Sequence, residues 1–246
     1  IAFPLLISYL EGKPGISREE IRNLVFLDES GKIVRTPDGG IPGTETLNPL
    51  PYERYGTFYP VEKYIARTFL GNRTFIYSSS TGCPCHCSFC GVATIFKGHW
   101  KGKPAVKMAE ELVELKNAYH IDSVEIIDSN FFAMPERVME FCRLIKDLDL
   151  RWWAEGRVDA MNHFTDEELI SLKESGCFLV FMGAETGDDN ILQKVSKGGN
   201  FSVEDTKRLV VRLKKAGIIP ELSFVLGIPM ANAIETLQCI KREITF

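Results

Sequence analysis

From about residue 70 onward, short apolar runs alternate with segments patterned as helices, and this alternation restricts the fold more than any other feature of the sequence. Strands separated by a helix-length connection return to the sheet through a crossover, so the sheet they form is parallel. The runs "TFIYSSS" (74–80), "SVEIID" (123–128), "RWWAEG" (151–156), "FLVFMG" (178–183) and "ELSFVLG" (221–227) read as five strands. Between them, Met108, Leu112, Leu115 and Tyr119 recur at helical spacing within 104–119. Val138, Phe141, Cys142 and Ile145 do the same after Pro135, a residue suited to a first helical turn. Thr165 with Glu168, and Ser202 with Asp205, are capping pairs that open two more helices, which Gly176 and Gly217 close.

Five such units predict an α/β fold, either an open or closed barrel or a doubly wound sheet. In each of these, ligands sit beyond the carboxyl ends of the strands. The residues at the end of each run are therefore informative: four cysteines after the first, "DSNFF" after the second, Glu155 and Arg157 near the end of the third, "GAETG" after the fourth and "GIPM" after the fifth.

The first 70 residues read differently. "IAFPLLISYLEGK" and "SREEIRNL" are patterned as two short helical pieces, the second with Ser17 and Glu20 as a capping box, and "VFLDESGKIVRT" as a hairpin turning at Ser30 and Gly31. Five prolines and four glycines between Pro37 and Pro60 predict an extended linker. The expected organisation is a C-terminal remnant of an upstream domain over 1–36, a linker over 37–69 and the βα series over 70–246.

The chain's 246 residues, 45 % hydrophobic and 25 % charged, have globular composition and exclude disorder. A net charge of -4, with lysine and arginine scattered, lacks the footprint of a nucleic-acid binder. No apolar run approaches the roughly 18 residues of a membrane span. Seven cysteines, four of them crowded together, do not form the spread framework of a secreted disulfide protein, so a reduced, cytoplasmic setting without a membrane partner is expected.

The crowded cysteines lie in "TGCPCHCSFC" (81–90), where Cys83, Cys87 and Cys90 form C-x3-C-x2-C with Phe89 before the last of them. Closed zinc sites gather four ligands from two separated pairs, and ferredoxin clusters use four cysteines. Here there is no second pair. Three thiolates from one loop suffice for three irons of a four-iron cluster and leave the fourth open to a substrate or cofactor.

On these residues the chain resembles the radical S-adenosylmethionine (radical SAM) enzymes. Their motif, C-x3-C-x-φ-C with φ aromatic, follows the first strand of a partial (β/α)6 TIM-like barrel. The likeness covers about residues 70–246, a barrel without its last strand. It implies that Cys83, Cys87 and Cys90 ligate a [4Fe-4S] cluster whose open iron takes the amino and carboxylate groups of S-adenosylmethionine. Reductive cleavage there gives a 5'-deoxyadenosyl radical that abstracts substrate hydrogen. The implied partners are a small-molecule or peptide substrate and an electron donor such as flavodoxin or ferredoxin.

The same likeness assigns further residues. Phe89 becomes an adenine neighbour, Glu185 in "FMGAETG" the contact to the ribose hydroxyls, and Arg157 the partner of the methionyl carboxylate. Val225 and Gly227, in "FVLGIP" (224–229), fall in the segment whose backbone meets the adenine. The family's Gly-Gly-Glu run is replaced by "IDSNFF", which leaves Asp128 and Asn130 as candidates for the amino group. The joining segment "LEGK...ISREEIRNLVFLDESGKIVRTP" and "LNPLPYERY", with "DSNFF" and "GAETG", resembles the cobalamin-dependent subgroup, many of which methylate unactivated carbon or phosphorus while some do ring or rearrangement chemistry. Any cobalamin would be held by a domain preceding Ile1.

Plainer readings stand beside these. The enzyme could be cobalamin-free, modifying tRNA or attaching sulfur, or the loop could be a non-catalytic iron-sulfur or zinc module. Glu185 could cap the following helix, Arg157 pair only with Glu155 or Asp159, and Asp128 simply share a polar barrel mouth. Cys85 falls outside the three-cysteine register and reads as a bystander, and His86 as a backbone partner within the loop. His99, His120 and His163 read as surface residues, and Cys142, Cys177 and Cys239 as core hydrophobes.

Overall fold

The computed structural model of the chain describes residues 2–40, 57, 59–195, 201–230 and 232–244. The chain divides into two compact units between Asn48 and Pro49. Most of the proline- and glycine-rich stretch, including all of "LNPLPYERY", lies outside the described residues.

Among its described residues the smaller unit has one helix, α1 (Ala2–Leu10), and a hairpin of β1 (Val25–Leu27) and β2 (Ile33–Arg35) paired about Phe26 and Val34. Its turn forms where the sequence places it: the Asp28 carboxylate accepts the N–H groups of Ser30 and Lys32 at 2.9 and 3.0 Å. The second helical piece does not form. The Ser17 hydroxyl donates to the Glu20 carboxylate at 3.0 Å instead of receiving its N–H, and Ile21 alone is buried in 17–24, so no apolar stripe rewards a helix.

In the larger unit β3 (Thr74–Tyr77) leads into a short strand, β4 (Ser80–Gly82). After α2 (Gly91–Phe96), β4 pairs antiparallel with β5 (Trp100–Gly102). There follow α3 (Ala105–Tyr119), β6 (Ser123–Ile126), α4 (Pro135–Ile145), β7 (Arg151–Arg157), α5 (Val158–Met161), α6 (Asp166–Glu174), β8 (Cys177–Glu185), α7 (Asp189–Lys194), α8 (Val203–Lys215), β9 (Ile219–Phe224) and α9 (Ala233–Ile244). Strands β3, β6, β7, β8 and β9 form one parallel sheet in that order. The order is sequential, as in a barrel wall, and these strands lack the reversal that marks a doubly wound sheet.

Capping decides several helix ends. Thr165 and Glu168 bond reciprocally at the start of α6, as do Ser202 and Asp205 at the start of α8. Gly176, at φ +100°, ends the first of these helices because a Cβ there would fall 1.9 Å from the Leu150 carbonyl oxygen. The first and fifth strands depart most from the sequence reading, the other three by one or two residues at their ends. The first ends at Tyr77, since Ser80–Gly82 turns away to pair with β5. The fifth spans Ile219–Phe224, because pairing with β8 begins at Leu179↔Ile219 and Gly227, at φ +77°, turns the chain after it.

Alternation along the strands sorts the two faces of the sheet. Tyr77, Val124, Ile126, Trp152, Ala154, Val180 and Met182 face helices α3, α4, α6 and α8 in one continuous core. Phe131 and Phe132 of the "DSNFF" run pack edge-on with each other at 5.1 Å and with Phe141, Trp152 and Phe164 at centroid distances of 5.6 to 5.9 Å, closing that core under the strand ends. The opposite face carries Glu155, Arg157, Phe181, Gly183 and Glu185. No helix among the described residues is long and apolar enough to cross a membrane.

Candidate active site

The cysteine loop, 83–99, springs from the base of the β4–β5 hairpin. Gly82 permits this: it sits at φ +82°, where a Cβ would fall 2.1 Å from the His99 carbonyl oxygen. The backbone N–H and hydroxyl of Ser88 both donate to the Val195 carbonyl, at 3.1 and 2.8 Å, tying the loop to the end of α7. Within the loop Cys90 N–H donates to the Cys87 carbonyl at 3.1 Å, and His86 packs its ring against Gly98.

Behind the loop lies a buried polar relay. The Asp128 carboxylate accepts the N–H groups of Ser79 and Ser80 at 2.6 and 3.0 Å and both of their hydroxyls. Arg137 donates to the Ser79 hydroxyl at 2.6 Å and, through Nε, to the Lys103 carbonyl at 2.7 Å. Burial holds the Arg137 guanidinium below its ordinary pKa, with the Asp128 charge working against that. Lys103 in turn reaches Glu111 at 2.7 Å, and Glu111 also accepts the Tyr77 hydroxyl at 2.6 Å. These groups anchor both strands of the hairpin that carries the loop.

In front of the loop is a cavity of about 170 Å³ lined by Cys83, Cys87, Phe89 and Cys90, by Ser129, and by side chains from the carboxyl ends of three strands. Glu155, Gly156 and Arg157 come from β7, Phe181, Gly183 and Glu185 from β8, and Ser223 from β9. Register explains the grouping: Glu155 lies beside Phe181, Arg157 beside Gly183, and Gly183 beside Ser223. Glu185 ends β8 at φ +63°, in the left-handed region, beside an irregularity in the β8–β9 pairing. Its carbonyl accepts the Val225 N–H at 2.9 Å. A non-glycine residue held in that region is a costly conformation of the kind found at functional sites.

Charge is arranged around the sulfurs. Arg157, buried, donates to Cys87 Sγ at 3.0 Å and is held by a two-point pair with Asp159, at 2.9 and 2.8 Å. Burial alone would lower its pKa, but the Asp159 pair and the nearby sulfurs raise it, so the cation is secure. A hydrogen bond from the Cys85 thiol brings Cys83 down to about 6, with Arg157 assisting, while the same bond pushes Cys85 up. Arg157 lowers both thiols of this pair, so its charge favours thiolate in the loop. Iron binds thiolate, so this donor set fits a cluster held by Cys83, Cys87 and Cys90. Among the described residues no three His, Cys, Asp or Glu side chains are gathered closely enough to share one metal ion. Cysteines of a four-iron cube each bind a separate iron and so need not crowd in that way.

Of the residues singled out in the sequence, the cavity brings together the three cysteines, Phe89, Arg157 and Glu185. It does not include Asp128, whose carboxylate is consumed by Ser79 and Ser80, nor Asn130, which is buried with its Oδ1 unpartnered. Val225 and Gly227 lie past the end of β9 and do not line it; Ser223 does. Arg157 pairs with Asp159, not Glu155, and Asp188, not Glu185, caps α7 by accepting the Asn190 N–H at 2.9 Å. Phe181 and Gly183 are missing from the candidates read in the sequence, and Glu155 stands there only at a strand end and as a partner for Arg157. Counting back in twos along the strands from Arg157 and Glu185 finds all three. His99, His120 and His163 are exposed, and Cys142 and Cys177 are buried in the main apolar core, as read; His86, read as a backbone partner, is exposed, and Cys239, though buried, donates to the Glu243 carboxylate at 3.1 Å.

A family model described as the radical SAM superfamily matches residues 77–241. The chain belongs to the radical SAM superfamily. Among its relatives is an uncharacterized methyltransferase of Pyrococcus horikoshii, 30% identical over 226 residues, an alignment covering 90% of this chain and 47% of the relative. The cytidylyl-2-hydroxyethylphosphonate methyltransferase of Streptomyces wedmorensis is 23% identical over 263 residues, covering 97% of this chain and 48% of that one. The anaerobic magnesium-protoporphyrin IX monomethyl ester cyclase of Rubrivivax gelatinosus is 27% identical over 236 residues, covering 93% and 40%. The chain thus spans less than half the length of each of these relatives.

Solved radical SAM structures share the fold. The cobalamin-dependent S-adenosylmethionine radical enzyme OxsB superposes with a TM-score of 0.77 at 16% identity, covering 99% of this chain and 34% of that one. The radical S-adenosylmethionine methyltransferase TsrM from Kitasatospora setae does so with a TM-score of 0.69 at 22% identity, covering 98% and 47%. At such identities the likeness is one of fold. The parallel five-stranded sheet described above is a radical SAM barrel wall, and the cysteine loop stands after its first strand.

Proposed function

We propose that this chain is the barrel of a radical SAM enzyme in which Cys83, Cys87 and Cys90 hold a [4Fe-4S] cluster and the ends of β7, β8 and β9 hold S-adenosylmethionine. The observation that carries this is the shared cavity: three cysteines of one loop and the polar side chains of three strand ends face the same space. When bound, the cluster supplies the electron that cleaves the sulfonium and yields the 5'-deoxyadenosyl radical. The chain's own residues bind and orient. Phe89 offers a flat apolar surface for the adenine, and Glu185 a carboxylate that accepts ribose hydroxyls from a fixed, strained backbone. Arg157 supplies fixed positive charge near the methionyl carboxylate. With Asp128 enclosed, Ser129, Glu155 and Ser223 are the polar groups left to meet the amino group.

The reaction we infer is methyl transfer that uses cobalamin held outside this chain. It is supported by relatives named as methyltransferases and by the fold shared with a cobalamin-dependent enzyme. The similarity to a protein named as a cyclase favours ring closure as the second reading. A small-molecule or peptide substrate, an electron donor of the flavodoxin or ferredoxin type and a cytoplasmic setting complete the proposal. The test is anaerobic reconstitution, reduction with dithionite and addition of methyl-labelled S-adenosylmethionine. Wild type should form 5'-deoxyadenosine well above a Cys87→Ala control. Equal yields from the two, with iron bound by wild type, overturn the proposal. Transfer of label to product in the full-length parent separates methylation from cyclisation.

A further inference from the structure

A role near the methionyl carboxylate does not account for all of the contacts that Arg157 makes. Its Nη1 points at Cys87 Sγ, 3.0 Å away, while Nε and Nη2 are taken by Asp159 Oδ1 and Oδ2 at 2.9 and 2.8 Å. Asp159 is itself fixed, its Oδ1 accepting the Ala160 N–H at 3.1 Å in the first turn of α5. The two-point pair locks the guanidinium plane, so the corner aimed at the sulfur cannot swing away without breaking two charge-assisted bonds. Arg157 ends β7, paired there with Gly183 of β8, and is buried, so its position is fixed and its charge weakly screened by solvent.

We propose that Arg157 and Asp159 act as an opposed pair that sets the reduction potential of the cluster through Cys87. This rests on the reading that Cys87 is a cluster ligand. Adding an electron makes a cluster and its thiolates more negative. A cation that donates a hydrogen bond to a ligand sulfur stabilises that reduced state and raises the potential. An anion beside the cation offsets it and lowers the potential. Arg157 therefore pulls upward and Asp159 downward, and neither touches the electron's path. Both are positioning residues in this sense: they act on the cluster through Cys87 and through each other.

Because the two charges oppose each other, their removal should shift the potential in opposite directions. The reconstituted protein, without S-adenosylmethionine, is titrated potentiometrically under anaerobic conditions and the reduced cluster followed by electron paramagnetic resonance. Arg157→Gln should lower the midpoint, and Asp159→Asn, which keeps the cation but removes its counter-charge, should raise it. A tenfold change in the reduced-to-oxidised ratio at fixed poise corresponds to a shift of about 59 mV for one electron, and a change of that order in each direction is expected. Shifts of the same sign, or wild-type midpoints in both variants with the cluster assembled, overturn the inference while leaving the cluster reading intact. If Arg157→Gln takes up no iron, Asp159→Asn decides alone, an upward shift supporting the inference and any other result overturning it. If neither variant takes up iron, the pair is scaffolding and the inference is wrong. Full cluster assembly in Cys87→Ala instead removes the reading on which it rests.

Discussion

The carboxylate of Asp128 accepts the backbone N–H of Ser79, 49 residues earlier in the chain, at 2.6 Å. Through Ser79 it also faces Arg137, whose Nη2 donates to the same residue's hydroxyl at 2.6 Å. The end of β6, the start of the cysteine-loop hairpin and α4 are thus joined by one compensated pair of buried charges. Asp128→Asn keeps the shape but leaves Arg137 buried without its counter-charge. It should cost about 3 kcal/mol of stability, in line with breaking a buried ion pair from one side. Asp128→Asn combined with Arg137→Met should cost less than the sum of the two single changes, as measured by urea unfolding in a double-mutant cycle. Simple additivity would show that the two charges do not interact.

Two glycines, one ending β4 and one just past β9, have nearly the same backbone conformation and different surroundings. Gly82 is at φ +82°, with the His99 carbonyl oxygen 2.1 Å from where a Cβ would stand; Gly227 is at φ +77° with nothing within 4 Å. Gly227→Ala should cost about 1–2 kcal/mol, the penalty of a left-handed non-glycine residue alone. Gly82→Ala adds a clash with backbone at the root of the cysteine loop, so it should cost more and should also reduce iron bound per chain after reconstitution. Equal losses of stability and equal iron contents for the two variants would deny the loop this dependence on Gly82.

How far the sequence discloses these features depends on the distance over which each is made. The capping pairs Thr165–Glu168 and Ser202–Asp205 act over three residues and are legible as written. Strand periodicity is equally local, and so is the three-cysteine spacing. Ser17 and Glu20 show the limit: the same local pattern makes a side-chain contact and one backbone turn bond, and no helix, where no apolar stripe needs one. The β4–β5 hairpin is hidden because Ser80–Gly82 and Trp100–Gly102 are three residues each and stand on either side of the loop they close. Asp128 looks like a ligand in the sequence because its partners are 48 and 49 residues away, and the Ser88–Val195 tie spans 107. Contacts of that range arise from the assembled sheet and have no signature in either segment alone.

Cys85 and Cys83 are two residues apart and differently placed. Cys83, Cys87 and Cys90 line the cavity, and Cys85 does not. A thiol held out of the space where the cluster would sit is not placed to ligate it. Cys85→Ala should therefore bind as much iron as wild type after anaerobic reconstitution. Alanine at Cys83, Cys87 or Cys90 should lower iron content and visible absorption severely. Loss of iron in Cys85→Ala to the same degree as in the other three would make the site a four-cysteine one.

Glu155 lines the cavity half-buried, and burial, followed by the charge of Asp128, holds its carboxyl above the usual glutamate range. Between its unfolded and its folded pKa such a group binds more protons in the folded chain than in the unfolded one. Stability therefore falls as pH rises through that window and stays lowered above it. Glutamine has the same shape and no proton to lose. The stability of Glu155→Gln relative to wild type should accordingly be least on the acid side of the glutamate range, increase as pH rises, and level off by neutral pH. Urea unfolding of the two proteins side by side across that range measures it. A difference that does not change with pH would mean that Glu155 carries no upward shift, and a difference that shrinks as pH rises would mean that its charged form is the one the cavity favours.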